Sequence, residues 1–262
     1  MSLNTTIPSG AEKGFLSDSV RRNGPFRPFT SDPGWNEAWW WLGIPAITAI
    51  LLALTGMLAP HFYGEWILPE GYGALEVSHF FIPFAGMIIA IRLLFRPFVR
   101  QRKLIFAFVC LGAICCLYIA GEEHSWGQHF FKWDTPEYWA EINRQQETNL
   151  HNTLHHFDKK PRLLLEMGVL IGGLIIPVLA QFRRRTRRNR WSLFFPADAM
   201  VPTALCALFF KAVDKVLNTF HVAAVVPRPS EAIEFFLYLF ILFYLIVFTR
   251  RIKELEQEKQ AG

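Results

Sequence analysis

Between Gly121 and Phe157 the chain reads GEEHSWGQHFFKWDTPEYWAEINRQQETNLHNTLHHF, a polar stretch set between apolar ones. It holds five of the eight histidines: His124, His129, His151, His155 and His156. It also holds the adjacent pair Glu122 and Glu123. Glu147, His151 and His155 stand at i, i+4 and i+8, so on a helix they share one face. Two neutral imidazoles four residues apart can bind one divalent cation, and a carboxylate one turn earlier completes a facial set. Upstream, Glu76 and His79 offer a second imidazole–carboxylate pair from another helix. The expected metal ligands are therefore Glu76, His79, His151 and His155. Glu122, Glu123 and Glu147 are the expected catalytic carboxylates. Zinc ranks ahead of iron. Zinc with three protein ligands and a water supplies hydroxide near neutral pH. A di-iron bundle needs two Glu-x-x-His elements, and only Glu76-x-x-His79 fits.

The elements that must position these residues are membrane helices. The chain has 262 residues, 52% hydrophobic and only 19% charged, with 25 Phe and nine Trp. Charged residues avoid several windows near the ~20 residues that cross a bilayer core. Six spans are expected: about 39–58, 74–95, 104–121, 163–182, 193–213 and 233–248. The fifth is interrupted by Pro196 and Pro202. Together they form one transmembrane domain over 37–250, with a polar N-terminal tail over 1–36 and a tail over 251–262. Most of the 27 basic residues sit in the N-tail, around 92–103, in the arginine run 183–190 and after Phe248. The positive-inside rule puts those segments, and both termini, in the cytoplasm. The histidines then fall in the outer half, and Glu76, Glu122, Glu123, Glu166, Glu231 and Glu234 reach one outer level. Buried acids at that depth mark a site, although helix N-termini also favour acids such as Glu231 and Glu234.

Within the central stretch, the third span is expected to continue as a helix through Phe131. Asp134-Thr135-Pro136-Glu137 reads as a helix start. It opens an interfacial amphipathic helix over about 136–157, inside an outer segment spanning 121–162. Cys110, Cys115, Cys116 and Cys206 all lie in apolar spans and lack C-x-x-C spacing, so they read as packing residues without a disulfide.

The GEEHSWGQ segment resembles the first motif of CAAX-type intramembrane proteases, with two adjacent glutamates and an aromatic residue three positions later. Gly127 and Gln128 stand where that family carries its arginine. The resemblance implies a water-activating site built on Glu122 and Glu123 with histidines from other segments. GEEHSWGQ followed by ETNLHN is also similar to a motif pair of bacterial multi-pass membrane proteins, which implies no particular activity.

The leading expectation is a membrane-embedded, metal-dependent hydrolase at the outer face, acting on a lipid-like substrate. The alternative is a non-enzymatic membrane subunit, whether a transporter, a proton pathway or an accessory component. Membrane lipids are expected partners, with a membrane-protein neighbour or a second copy of the chain. The net charge of +5 comes from topology-setting runs and implies no nucleic acid. Small size and compact loops point to a bacterial inner membrane.

Overall fold

The computed structural model describes residues 29–143, 145–150, 153, 155–182, 191–220 and 226–261, excluding the side chains of 155–160 and 180–182. The described residues form helices, short turns and no strand. In chain order the longer helices are α1 (Trp39–Leu58), α2 (Ala74–Leu94) and α3 (Lys103–Glu123). The short α4 (Glu137–Ile142) follows. Next come α5 (His155–Leu170, continued by a π-helical turn Ile171–Ile175 and by Ile176–Phe182), α6 (Val201–Phe220) and α7 (Pro229–Ala261).

Among the described residues, five helices are long and apolar enough to cross a membrane: α1, α2, α3, α5 over Pro161–Leu179, and α7. This is an integral membrane fold. Its axis is α7, whose apolar window is 61% buried inside the protein against 22–28% for the other four. A helix apolar on all sides belongs at the centre. Phe236, Phe240 and Phe243 of α7 pack with Trp40 of α1 and Phe210 of α6. Lower down, Phe248 and Ile252 pack with Leu93, Val109 and Cys116 from α2 and α3. All four cysteines are free.

Three expected elements differ. The helix expected over 193–213 is shifted to Val201–Phe220. Residues 191–195 turn, and α6 starts only at Val201, past Pro196, and carries Lys211, Asp214 and Lys215. The third span stops at Glu123 rather than running to Phe131. Ser125, Trp126 and Gly127 take φ of 48°, 54° and 106°, which no right-handed helix accommodates. The expected interfacial helix over 136–157 ends at Ile142. Asn143 goes extended, and its Oδ1 accepts from the backbone N–H groups of Gln145 and Glu147. An Asn side chain that satisfies nearby N–H groups competes with helix propagation. Glu147 therefore lies on no helix, and His151 lies outside the described residues.

The outlying segments are more ordered than the sequence suggests. The stretch after residue 28, expected as tail, is pinned to α7. Phe29 is buried, with Arg251 over its ring. Asp32 accepts two bonds from Arg251, at 2.6 and 2.7 Å. Glu37 accepts two more from Arg250. Arg251 also donates to the carbonyls of Ser192 and Phe195, so it ties the 191–195 turn to the same end. The expected C-terminal tail is a continuation of α7 to Ala261.

Arg251 is 4% exposed, so removing it strips a buried guanidinium from Asp32, which is itself 27% exposed, and from the carbonyls of Ser192 and Phe195. Arg251→Met should lower the thermal midpoint in detergent by the equivalent of about 3–5 kcal/mol, the usual cost of breaking a buried pair. Arg250→Ala should cost about 1 kcal/mol or less, because that pair remains about one-third exposed on both sides. Equal shifts from the two variants would contradict this ranking.

Candidate functional site

At the end of the bundle opposite Arg251, four helices bring polar side chains together. Glu76 and His79 lie in the first turns of α2, and Glu123 closes α3. Arg162 and Glu166 lie early in α5, and Glu231, Glu234 and Tyr238 open α7. His79 is the centre and is fully buried. Its Nε2 lies 3.1 Å from the carbonyl oxygen of Glu231. A carbonyl only accepts, so Nε2 carries the hydrogen, by chemistry rather than by observation. Nδ1 of the neutral ring is then a lone pair. It has no hydrogen-bond partner, yet Glu123 Oε2 is 3.4 Å away and Glu231 Oε2 4.0 Å away.

A lone pair facing two carboxylates in a buried site is repulsive unless a cation or a proton lies between them. The surrounding donors suit a cation. Ligand atoms of Glu76, His79 and Glu123 lie within 4.8 Å of one another, as do those of His79, Glu231 and Glu234. The two sets share His79. A metal-bound imidazole ordinarily donates its other N–H to a backbone carbonyl or carboxylate, and the Nε2–Glu231 bond has that form. Tyr238 donates to Glu123 Oε1 at 2.7 Å and sets that carboxylate's direction. Its ring stands edge-on to His79.

Around this centre runs a rim of compensating charge. Arg162 donates to Glu166 and Glu234. Lys211 of α6 reaches Glu166. Arg228 donates to Glu231 and lies 3.7 Å from Glu70. Glu166 is thus spent on cations, whereas Glu76 makes no hydrogen bond to another described residue.

The polar segment after α3 folds over this end as a clasp. Glu122 Oε1 accepts from Trp126 Nε1 and Oε2 from the Leu150 N–H. Gln128 Oε1 accepts from the Thr148 N–H, and Thr148 Oγ1 donates to the Ser125 carbonyl. Asn149 donates to Ser125 Oγ and to Glu147, and Asn143 donates to Asn149. Glu147 accepts from Ser125 and lies 3.2 Å from His129 Nε2. These bonds hold Ser125 and Trp126 in left-handed conformations that cost non-glycine residues roughly 1–3 kcal/mol each. Gly71, with φ of 79°, leaves room for the His129 ring, which a Cβ there would meet at 2.7 Å. Ser125, His129 and Glu147 do not form a nucleophilic triad. Serine and carboxylate both approach Nε2, whereas a relay needs one on each ring nitrogen. His124 is buried against Phe80 and Phe130, with both ring nitrogens unpartnered. Burial, then the nearby His129 and Lys132, push it down to about 4, so it stays neutral.

Clasp and carboxylate cluster border one cavity of about 1130 Å³. Its upper part is lined by Glu76, Glu123, Glu147, Arg162, Glu231 and Glu234. Below, it runs between α3, α5 and α7 along apolar side chains as far as Phe108, Phe194 and Pro196.

Of the expected site residues, Glu76, His79 and Glu123 come together. Glu122 and Glu147 border the same cavity, but their oxygens are committed to the clasp, which is at odds with free catalytic carboxylates. His151 lies outside the described residues, as does the side chain of His155. Glu231 and Glu234 are closer to His79 than their reading as helix-end acids implies, and their spacing at i, i+3 in the first turns of α7 is the signal for it. Tyr238 gave none, because one tyrosine in an apolar helix looks like any other. No protein-family model, curated protein or solved structure matches the chain.

Burial alone would raise Glu147, but His129, Ser125 and Asn149 hold it below the ordinary glutamate value. A depressed carboxylate stabilises the fold above its unfolded pKa and loses that contribution as pH falls through its folded one. Hydrogen exchange at Thr148–Leu150 should therefore be slow from neutral pH down to about 4.5 and accelerate in more acid solution. Glu147→Gln should exchange faster already at pH 7, by the equivalent of about 1–3 kcal/mol. An acid-insensitive wild type would contradict this account of the clasp.

Proposed function

We propose that the chain is a membrane-embedded, metal-dependent hydrolase whose metal ligands are His79, Glu123, Glu231 and Glu234, with Glu76 beside them as general base. The observation that carries the reading is the His79 ring: Nε2 tied to a carbonyl, and Nδ1 buried and facing the carboxylates of Glu123 and Glu231 at 3.4 and 4.0 Å. The donor set is one imidazole and several carboxylates, a chemistry that zinc, manganese and iron(II) all accept. A cation held there would polarise a carbonyl or phosphoryl oxygen and acidify water. The chain's own residues do the rest. Tyr238 orients Glu123. Glu76 is placed to take the proton of the attacking water and return it to the leaving alcohol or amine. The clasp narrows access of bulk water to the mouth.

The same reading extends to topology. Asp32 pairs with Arg251, so α1 begins and α7 passes the same end of the bundle. That needs an even number of crossings, and α6, which packs along α7, would supply a sixth beside the five apolar helices. The basic runs near that end put both termini in the cytoplasm and the His79 cluster at the outer face. Bacterial inner membrane remains the proposed location.

A proton on Nδ1 would relieve the same repulsion. The string Lys211–Glu166–Arg162–Glu234 beside His79 then favours the second reading, a proton-pathway or transport subunit.

Detergent-purified protein assayed for zinc, iron and manganese separates the two readings. The hydrolase reading expects about one equivalent of metal, lost in His79→Ala and Glu123→Gln. Tyr238→Phe should weaken affinity about 10–100-fold, as loss of a supporting partner usually does. Protein that stays metal-free when metal is supplied, with His79→Ala indistinguishable from wild type, would overturn the metal centre and favour the subunit.

A further inference from the structure

The apolar stem of the cavity is too long for a small polar substrate. From Glu122 to Phe108 it follows α3 for about 20 Å at 1.5 Å per residue. That is most of the depth of a hydrocarbon core. One wall is α3, with Phe108, Gly112, Cys115 and Ile119 on a single face, and the opposite wall is α5. α3 packs mainly on α2, whereas α5 packs on α6 and α7. Between α3 and α5 the cavity therefore opens sideways. Ile114 and Leu164 line it and are nonetheless 63% and 73% exposed.

Two glycines on the facing walls set its bore. Glycine in a membrane helix ordinarily lets a neighbouring backbone approach, and Gly173 does this, since a Cβ there would meet Ala204 at 2.6 Å. Gly168 is different: a Cβ would meet nothing within 4 Å. At Gly112 the nearest atom is a Leu245 methyl at 3.9 Å. Neither glycine is required by helix packing, and both border the cavity. Their absent side chains leave open the space that a hydrocarbon chain needs. The π-helical turn Ile171–Ile175 lies beside Gly168, and such turns gather at functional sites.

We infer that the stem is a hydrocarbon-chain channel, and that the substrate class is a long-chain lipid of the surrounding bilayer. The lipid enters between α3 and α5. Its polar head lies among the carboxylates around His79, and its chain runs along Gly168 and then Gly112. The inference rests on the proposed hydrolytic centre for which end is chemically active, but the channel itself is tested without it. Gly168 lies about 10 Å below the Arg162 level and Gly112 about 15 Å below Glu122, at 1.5 Å per residue. The two positions act as rulers of different length.

The test is native mass spectrometry of purified protein supplied with dipalmitoyl or dihexanoyl lipid. Each is offered as the phosphatidylethanolamine and as the phosphatidylglycerol, to separate zwitterionic from anionic heads. Metal content is measured on the same samples. Wild type should retain about one dipalmitoyl lipid of at least one head class. Gly168→Trp should lower dipalmitoyl retention at least tenfold and spare the dihexanoyl lipid. Gly112→Phe should shorten the tolerated chain less severely. Met167→Trp, on the exposed side of α5 and outside the cavity lining, should match wild type. Unchanged metal with lost long-chain binding supports the channel. Dipalmitoyl retention unaffected by both glycine variants, or no retention by metal-loaded wild type, would overturn the channel and leave the metal centre standing.

Discussion

The bond between His79 Nε2 and the Glu231 carbonyl decides the character of this protein's polar end. It is a 3.1 Å contact between α2 and α7, made by a fully buried side chain. Because a carbonyl cannot donate, the bond fixes the ring's tautomer and turns Nδ1 toward Glu123 and Glu231. Every other feature of that end answers the resulting electrostatic problem. Tyr238 steadies Glu123, Arg228 offsets Glu231, and Arg162 and Lys211 hold Glu234 and Glu166. Even so, Glu76 makes no hydrogen bond to another described residue, and His79 Nδ1 faces carboxylates on two helices. Buried charge without compensation is strongly disfavoured, and this imbalance is the physical basis for a cation-dependent site.

Two staples hold the helices in the register that this contact needs. At one end, Arg251 gathers the 29–37 segment, the 191–195 turn and α7 into one buried ion-pair knot. At the other, the clasp joins the turn after α3 to the 143–150 loop. Its two halves belong to no shared helix, so side chains replace the missing backbone ladder. Asn143 and Asn149 share one pair of bonds, and Gln128 and Thr148 another. The left-handed Ser125 and Trp126 persist because this network over-determines them.

Much of the frame was legible in the sequence because the membrane imposes it. Apolar runs near 20 residues marked α1, α2, α3, α5 and α7, and the shared level of Glu76, Glu123, Glu231 and Glu234 followed from counting along those runs. Local competition was not legible. Asn143 ends a helix that its neighbours would have continued, and Pro196 together with the pull of Arg251 on nearby carbonyls delays α6 to Val201. The motif pair GEEHSWGQ and ETNL carried real information, but about structure. Glu122 and Glu147 stand out as acids near histidines, and the structure employs both as hydrogen-bond acceptors that close a loop. Glu-His proximity in sequence does not distinguish a ligand from a fastener. Only the count of partners around each carboxylate does.

Coordination at His79 is read by X-ray absorption fine structure on the metal-loaded protein. The first shell should hold one imidazole nitrogen and three or more oxygens at about 2.0–2.2 Å, with the imidazole signal absent in His79→Ala. A shell containing two or more imidazoles, or one unchanged by His79→Ala, would contradict it.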